Sequence, residues 1–513
     1  MSASTPTRPT YGNFRSTRRT GLFGIPIVAL FLILVGAIVG FTFLIGGNLP
    51  LAMIWTAMIV LLTAPLLRRN AHDRNLYQVL GTRMAFMSAR RAGTTVYLAG
   101  GAGRVPDGRC RLPGLLAASE LTEHLDGYGQ PFGLLHVPAT NHYSIVLLAH
   151  PADPKLMDDA VIDAQVAAWG GWLADLGSQP SIEGASVTIE TAPDSGLRLR
   201  QNIASQLSPD APDFAAAALG EMADTFPTTS AQVTTKVTVT WTAIPSWSTS
   251  EGARGRKGKP RPRTREEMAV EIGNLLPSLA AGLMRAGAGT TVQAATAQDI
   301  VDSTRVAYDP AVALAVEEAR ATGRGTGLTW DDAGPTGAVE GWDSYRHDRG
   351  VSRTWYMSAP HRGDFPAESI ARLLAPHPAI PLKRVTILFR PEPAVRAAQI
   401  VDRAYLDATT EASQKARPTA RDKRAIALAE KTAQDEAAGA ALVRFSVVVT
   451  ATVLDVKQLD MATVTVETLA AGPRLLMRPV VGNQAAAFAA GLPLGLVLPK
   501  HTILTADLRD QML

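Results

Sequence analysis

Three kinds of residue cluster in this chain could do chemistry, and each lacks a part. Glycine-rich turns cradle phosphate when a strand precedes them and a helix N-terminus comes next. Gly100-Gly101-Ala102-Gly103 and Gly323-Arg324-Gly325-Thr326-Gly327 are the candidates. Neither fits a strand–turn–helix unit with an acid downstream, so both read as turn or linker. The pattern G-x-x-x-x-G-K-[ST] is absent: Gly258-Lys259 runs into Pro260, and position 253 is not glycine. His136, His142 and His150 gather near one expected hairpin. No Cys or carboxylate completes a metal set there, so they read as structural or surface residues. Asp331-Asp332 sits in a Gly-rich segment and reads as solvated. No G-x-S-x-G elbow and no H-E-x-x-H occurs. These gaps predict a protein that is not an enzyme and holds no cofactor and no metal.

The elements that organise the chain lie at its start. Leu22 to Ile45 is uncharged, Gly46-Gly47-Asn48-Leu49-Pro50 makes a turn, and Leu51 to Leu67 is uncharged again. About 20 apolar residues cross a bilayer as a helix, with about 17 the lower limit. Backbone groups in lipid must bond within their own segment, so both runs are expected to be helical. Arg8, Arg15, Arg18 and Arg19 precede the pair; Arg68, Arg69, Arg74, Arg83, Arg90 and Arg91 come after it; the turn has no Lys or Arg. Basic flanks mark the cytoplasmic side. The expectation is a two-span transmembrane hairpin at residues 21–70 in the cytoplasmic (inner) membrane, with the N-terminus and the C-terminus both cytoplasmic.

Of 513 residues, 19% are charged and 6% aromatic, which suits a chain that mostly folds. The single cysteine, Cys110, excludes an intrachain disulfide and fits a reducing compartment. The net charge of +4 is unevenly spread. Apart from the tail, the hairpin exit and one loop, acidic side chains outnumber basic ones. That argues against a nucleic-acid-binding body. The loop carries Arg254, Arg256, Lys257, Lys259, Arg261, Arg263 and Arg265 among Gly and Pro. It reads as a solvated linker or as a contact to anionic lipid or another polyanion.

The fold class expected is α+β: the helical hairpin, then cytoplasmic mixed α/β domains with mainly antiparallel sheets. Residues 1–20 form a disordered basic tail. A first region covers 71–325, with a flexible basic loop at 247–265; a second covers 336–513. Alternation predicts strands at Phe132–Val137, His142–Ala149, Gly184–Ala192, Val233–Ile244, Lys383–Arg390 and Val443–Leu454. Helical spacing predicts Lys155–Leu176, Arg265–Arg285, Ala394–Ala441 with a break at Arg417-Pro418, and Asn483–Gly491. No short-period repeat is visible.

Two parts of the chain resemble components of conjugative type IV secretion systems. The basic tail, two-helix hairpin and basic exit resemble the PrgI-like membrane subunit. Gln484, Phe488, Leu492 and Pro493 resemble the Q-x-x-x-F-x-x-x-L-P motif that closes the N-terminal, non-catalytic domain of TraC/TrsE-type ATPases. Ile503 to Leu508 resembles the segment next to it there. Arg111–Leu116, Phe132–His136, His142–Val146, Trp169–Trp172 and Ala185–Glu190 resemble runs in an actinobacterial membrane-protein family of integrative and conjugative elements. The resemblance implies a structural inner-membrane component of a DNA-transfer machine that docks a separate P-loop secretion ATPase. Its implied partners are membrane lipids, that ATPase, other channel subunits and further copies in an oligomer. The docking face would be Gln484, Phe488, Leu492 and Pro493. An alternative is a membrane subunit of the actinobacterial type VII system, similar to its EccE component.

Overall fold

The computed structural model describes residues 10–11, 21–22, 25–67, 74–103, 108–152, 157–208, 210–225, 231–244, 261–322, 325–359, 365–366, 368–415 and 417–502. Apart from Thr10 and Tyr11, the tail expected to be disordered lies outside these residues.

Helices α1 (Ile27–Ile45) and α2 (Leu49–Leu67) pack together across a tight turn, and α3 (Leu76–Arg91) leads into the body. Asn75 starts α3 with a capping box: its side chain accepts from Gln78 N–H at 2.8 Å, and Gln78 answers to the Asn75 N–H.

The body is mixed α and β, built on one 13-stranded antiparallel sheet. Its strands in chain order are β1 (Val96–Leu98), β2 (Glu120–Leu125), β3 (Pro131–Val137), β4 (His142–Ala149), β5 (Ile182–Pro193), β6 (Ala231–Thr242), β7 (Val292–Ala294), β8 (Gly337–Glu340), β9 (Tyr345–His347), β10 (Gly350–Ala359), β11 (Leu382–Pro391), β12 (Val443–Val453) and β13 (Leu476–Pro479). Across the sheet the order is β1-β8-β9-β10-β12-β11-β5-β6-β4-β3-β2, with β7 paired to β4 and β13 to β10. The regions expected at 71–325 and 336–513 are therefore not separate sheets; β5 and β11 join them.

The remaining helices show why. Between β4 and β5 lies α4 (Asp159–Ser178); α5 (Leu197–Gln206) and α6 (Asp213–Thr225) lie between β5 and β6; then come α7 (Arg265–Arg285), β7 and α8 (Ala297–Tyr308). After the linking helix α9 (Ala313–Ala321) the same series recurs. It runs β10, α10 (Glu368–Leu374), β11, α11 (Ala394–Ser413) with α12 (Ala420–Ala437), β12, α13 (Leu459–Ala471), β13 and α14 (Gln484–Gly491). The chain is thus an internal duplication whose period is far longer than that of a solenoid repeat. Its centre is visible in the residues: Val187-Thr188-Ile189 on β5 matches Val385-Thr386-Ile387 on β11. The register sets Thr188 opposite Thr386, as an approximate two-fold axis through the β5–β11 pair requires. Val237-Thr238-Val239-Thr240 on β6 likewise matches Val449-Thr450-Ala451-Thr452 on β12.

Strand alternation divides the sheet into two faces. On one, Val237, Val239 and Trp241 pack beneath α4 and α7, while Val449, Ala451 and Val453 pack with α13 residues. Helix α7 owes its limits to a Thr264–Glu267 capping box and to buried Met268, Ile272, Leu276, Leu279 and Leu283 at helical spacing. The other face carries a row of buried hydroxyls. Ser144 pairs with Thr240 at 3.0 Å, Thr188 with Thr386 at 3.2 Å, Ser352 with Thr452 at 2.7 Å and Thr354 with Thr450 at 3.1 Å.

Candidate functional site

The apolar surface of the protein is concentrated on α1 and α2. Phe31, Phe41, Ile45, Met53, Ile54 and Leu61 are each more than 60% exposed. A soluble domain rarely shows so continuous an apolar surface without a partner phase. Hydroxyls in α2 are satisfied by their own helix: Thr56 and Thr63 donate to the carbonyls of Ala52 and Ile59 at 2.8 Å. The helices meet at Gly36 and Gly40. A Cβ on Gly36 would lie 2.8 Å from Ile59, and one on Gly40 would lie 3.5 Å from Trp55. The Trp55 indole N–H donates to the Gly36 carbonyl at 2.9 Å. The G-x-x-x-G spacing inside an apolar run was the signal for this close contact. Leu49–Leu66, with mean hydropathy 2.0, is the one helix among the described residues long and apolar enough to cross a membrane; a shorter apolar stretch, Leu30–Ile45, lies in α1. By length and composition, one span is supported where the sequence analysis expects two.

The four expected docking residues lie in the core. Gln484 and Phe488 are fully buried, Leu492 is 2% exposed, and Pro493 is buried too. They belong to a strap, α14 and Leu492–Val497, laid over the hydroxyl row. Gln484 accepts from Thr354 N–H at 3.0 Å and donates to the carbonyls of Val480 at 2.7 Å and Asp343 at 3.0 Å. Phe488 is ringed by Tyr308, Tyr345 and His347, with centroids 5.1, 5.4 and 4.6 Å away. Thr386 donates to Gly491 O at 2.7 Å and Thr240 to Gly495 O at 3.0 Å, so the strap is fastened to both halves. Side chains held this way offer no free face to a second protein. These residues, expected on a docking face, instead shape the fold.

Burial sets the electrostatics around the strap. It raises the phenols of Tyr308 and Tyr345 far above their usual range and lowers His347 to about 4, so these three rings are neutral, while the Arg384 guanidinium lies 5.6 Å from the Phe488 centroid. Beside it, Arg384 and Lys236 hold Glu190 at 2.6 and 2.9 Å. Burial alone would raise this carboxyl; the two cations and their hydrogen bonds outweigh it and hold it at about 2.

Of the basic loop, Arg254, Arg256, Lys257 and Lys259 lie outside the described residues. The other three are engaged. Arg261 pairs with Glu267 at 2.5 Å, Arg263 with Glu271 and the Thr242 carbonyl, and Arg265 with Glu120. Arg263 and Arg265 fasten the entry to α7 onto the sheet, while Arg261 keeps an exposed side chain beside the start of α7. The histidines do not converge on a metal: His136 stacks on Tyr143, His142 is buried, and His150 is exposed. Among the described residues no group of three or more His, Cys, Asp or Glu could hold an ion. Asp331, expected to be solvated, pairs with Arg111 at 3.0 Å and with Arg109, and Asp332 caps Thr329. Gly100–Ala102 is a single 3-10 turn after β1, not a phosphate cradle.

Residues 18–78, which hold α1, α2 and the first residues of α3, match a family described as a domain of unknown function (DUF8461). No curated protein matches the chain.

Proposed function

We propose that this protein is a membrane-anchored, non-catalytic unit of a conjugative, type IV-like transfer machine. In this reading α1 and α2 cross the inner membrane as a two-span hairpin. The duplicated body lies in the cytoplasm and receives a separate P-loop ATPase. The observation that carries the reading is the apolar surface of α1–α2 ahead of a large polar body. Each helix has 19 residues, about 28 Å at 1.5 Å per residue, close to the hydrocarbon thickness of about 30 Å. If α2 alone spanned, the exposed Phe31, Leu34, Phe41 and Leu44 of α1 would face water. The secretion assignment rests on the resemblances of the hairpin and of the strap motif.

Burial of Gln484, Phe488, Leu492 and Pro493 moves the expected ATPase contact to where the strap surfaces. There Lys500 pairs with Glu183 at 2.9 Å and is 43% exposed. The test has two parts. On a Cys110→Ser background, an impermeant thiol reagent should label Asn48→Cys in intact cells and spare Ser88→Cys. Cross-linkers placed at Lys500 should then capture a P-loop ATPase encoded beside the gene. External labelling at Ser88→Cys would remove the topology; capture of no ATPase would remove the docking role.

A further inference from the structure

Helix α3 has two unlike sides. Its packed side carries Phe86, edge-to-face on Trp342 with centroids 5.4 Å apart. Thr82 and Phe86 also close on Gly482, where a Cβ would lie 3.2 and 3.5 Å from them. That glycine has φ +71°, and its N–H donates to the Trp342 carbonyl at 2.7 Å. This side fixes α3 to the body. The opposite side carries Leu76, Tyr77, Leu80, Met84 and Met87, all exposed. With 3.6 residues per turn these five fall in one sector of about 100°. Arg83 and Arg90 lie along one edge of that sector, and Arg91 falls within it at the last residue of the helix; all three are exposed.

The stripe adjoins the exposed apolar surface of α2. Tyr77 Oη donates to the Leu62 carbonyl at 3.0 Å, so the start of α3 is tied to the last turns of α2. We infer that α3 is an in-plane membrane helix whose stripe sinks into the headgroup boundary of an anionic leaflet and seats the sheet body on the bilayer surface. The inference rests on the membrane reading of α1–α2 and adds a second surface to it. Its occupant is lipid because the stripe continues a surface already given to lipid, and because arginines lie along its edge and at its end. Arginine stems lie along apolar surface while their guanidinium groups reach phosphates. Helices of this kind sit with the apolar face about 5–10 Å into the boundary.

The test uses the full Cys110→Ser chain in vesicles of phosphatidylcholine and phosphatidylglycerol. Nitroxide labels go on Leu80→Cys and Met84→Cys in the stripe, on Ala85→Cys outside it, and on Leu61→Cys in α2. Labels at 80 and 84 should collide more with oxygen than with a water-soluble nickel chelate, and the label at 85 should show the reverse. Water-like labels at 80 and 84, with the label at 61 in hydrocarbon, would overturn this inference and leave the anchor standing. A water-like label at 61 as well would overturn both. Labels at 80 and 84 that are wet in vesicles but shielded in native membranes would assign the stripe to a protein partner and overturn the lipid occupant.

Discussion

The two halves of the sheet share a strand frame and differ in almost everything attached to it. In the first half α4 and α7 run 20 and 21 residues; their counterparts α10 and α13 run 7 and 13. The helical pair inserted before the last long strand is short in the first half, 10 and 13 residues, and long in the second, 20 and 18. The buried hydroxyl pairs persist regardless: Ser144–Thr240 in one half and Ser352–Thr452 in the other. Apolar packing tolerates exchange of one filling for another of similar volume. A buried hydroxyl left without a partner is penalised wherever it stands. The helix-covered face could therefore diverge while the strap face kept its chemistry.

The strap makes the halves unequal, and its substitution should have the largest effect. Phe488 meets Tyr308 from the end of the first half and Tyr345 and His347 from the second. Phe488→Ala should destabilise the chain by about 4 kcal/mol, against about 1 kcal/mol for Ile300→Val in the counterpart helix α8. Urea unfolding in detergent, followed by tryptophan fluorescence, measures both. A Phe488→Ala loss no larger than that of Ile300→Val would mean the strap does not bind the halves together.

Two glycines of the strap sharpen the point. Gly495 lies on the first half with φ +72°, and a Cβ there would collide with Ser144 and Thr240. Gly491 lies on the second half, where a Cβ would approach Thr450 at 3.2 Å. Strain at positive φ and overpacking together put Gly495→Ala at about 3 kcal/mol of lost stability, read as a fall in unfolding midpoint. Gly491→Ala should cost less than about 1 kcal/mol. Equal losses would show that the strap sits no closer to one half than to the other.

Each half also buries one histidine at the same hairpin. His142 opens β4 and His347 closes β9, and burial lowers both to about 4. A histidine lowered on folding is charged more readily in the unfolded chain. Its contribution is complete above about pH 6.5 and is lost as pH falls toward about 4. Each should remove on the order of 2–3 kcal/mol over that window. Stability should therefore fall from pH 7 to pH 4, and either His142→Gln or His347→Gln should flatten the slope. A slope unchanged in both variants would mean that these rings are not buried neutral.

Much of this frame was legible in the sequence. Arg265–Arg285 is the helix observed, because Thr264 and Glu267 mark its start and its apolar residues keep helical spacing. The long strands fall within a residue or two of expectation because their Val/Thr alternation has a period of two. Helices α5 and α6 were not expected: both lie largely at the surface, so neither carries a run of buried apolar residues like that of α7. The single sheet was also hidden, since the β5–β11 pairing that creates it joins Lys383 to Thr191 and leaves no local pattern. The four strap residues expected on a docking face lie in the core instead. Nothing in the spacing of Gln484 and Phe488 says whether the shared helix face meets a partner or the chain's own sheet.

The smallest effect separates the halves by sign. Thr450 on β12 shares a hydroxyl contact with Thr354 at 3.1 Å. Its counterpart Thr238 on β6 stands opposite Val146 in the register. Thr238 is fully buried, and its hydroxyl has no partner among the described residues. The same substitution should thus act in opposite directions. Thr450→Val leaves the Thr354 hydroxyl unpaired and should destabilise by about 1 kcal/mol. Thr238→Val keeps the shape and removes an unpaired group, so it should be neutral or stabilise by up to about 1 kcal/mol. Making Thr354→Val and Thr450→Val together gives the second half an apolar pair at this position. Because both partners leave at once, the double variant should recover most of the loss of Thr450→Val. Unfolding midpoints of the three variants decide it. A loss for Thr238→Val equal to that for Thr450→Val would mean that the first half satisfies this hydroxyl after all, and that the two halves are closer copies than their contacts indicate.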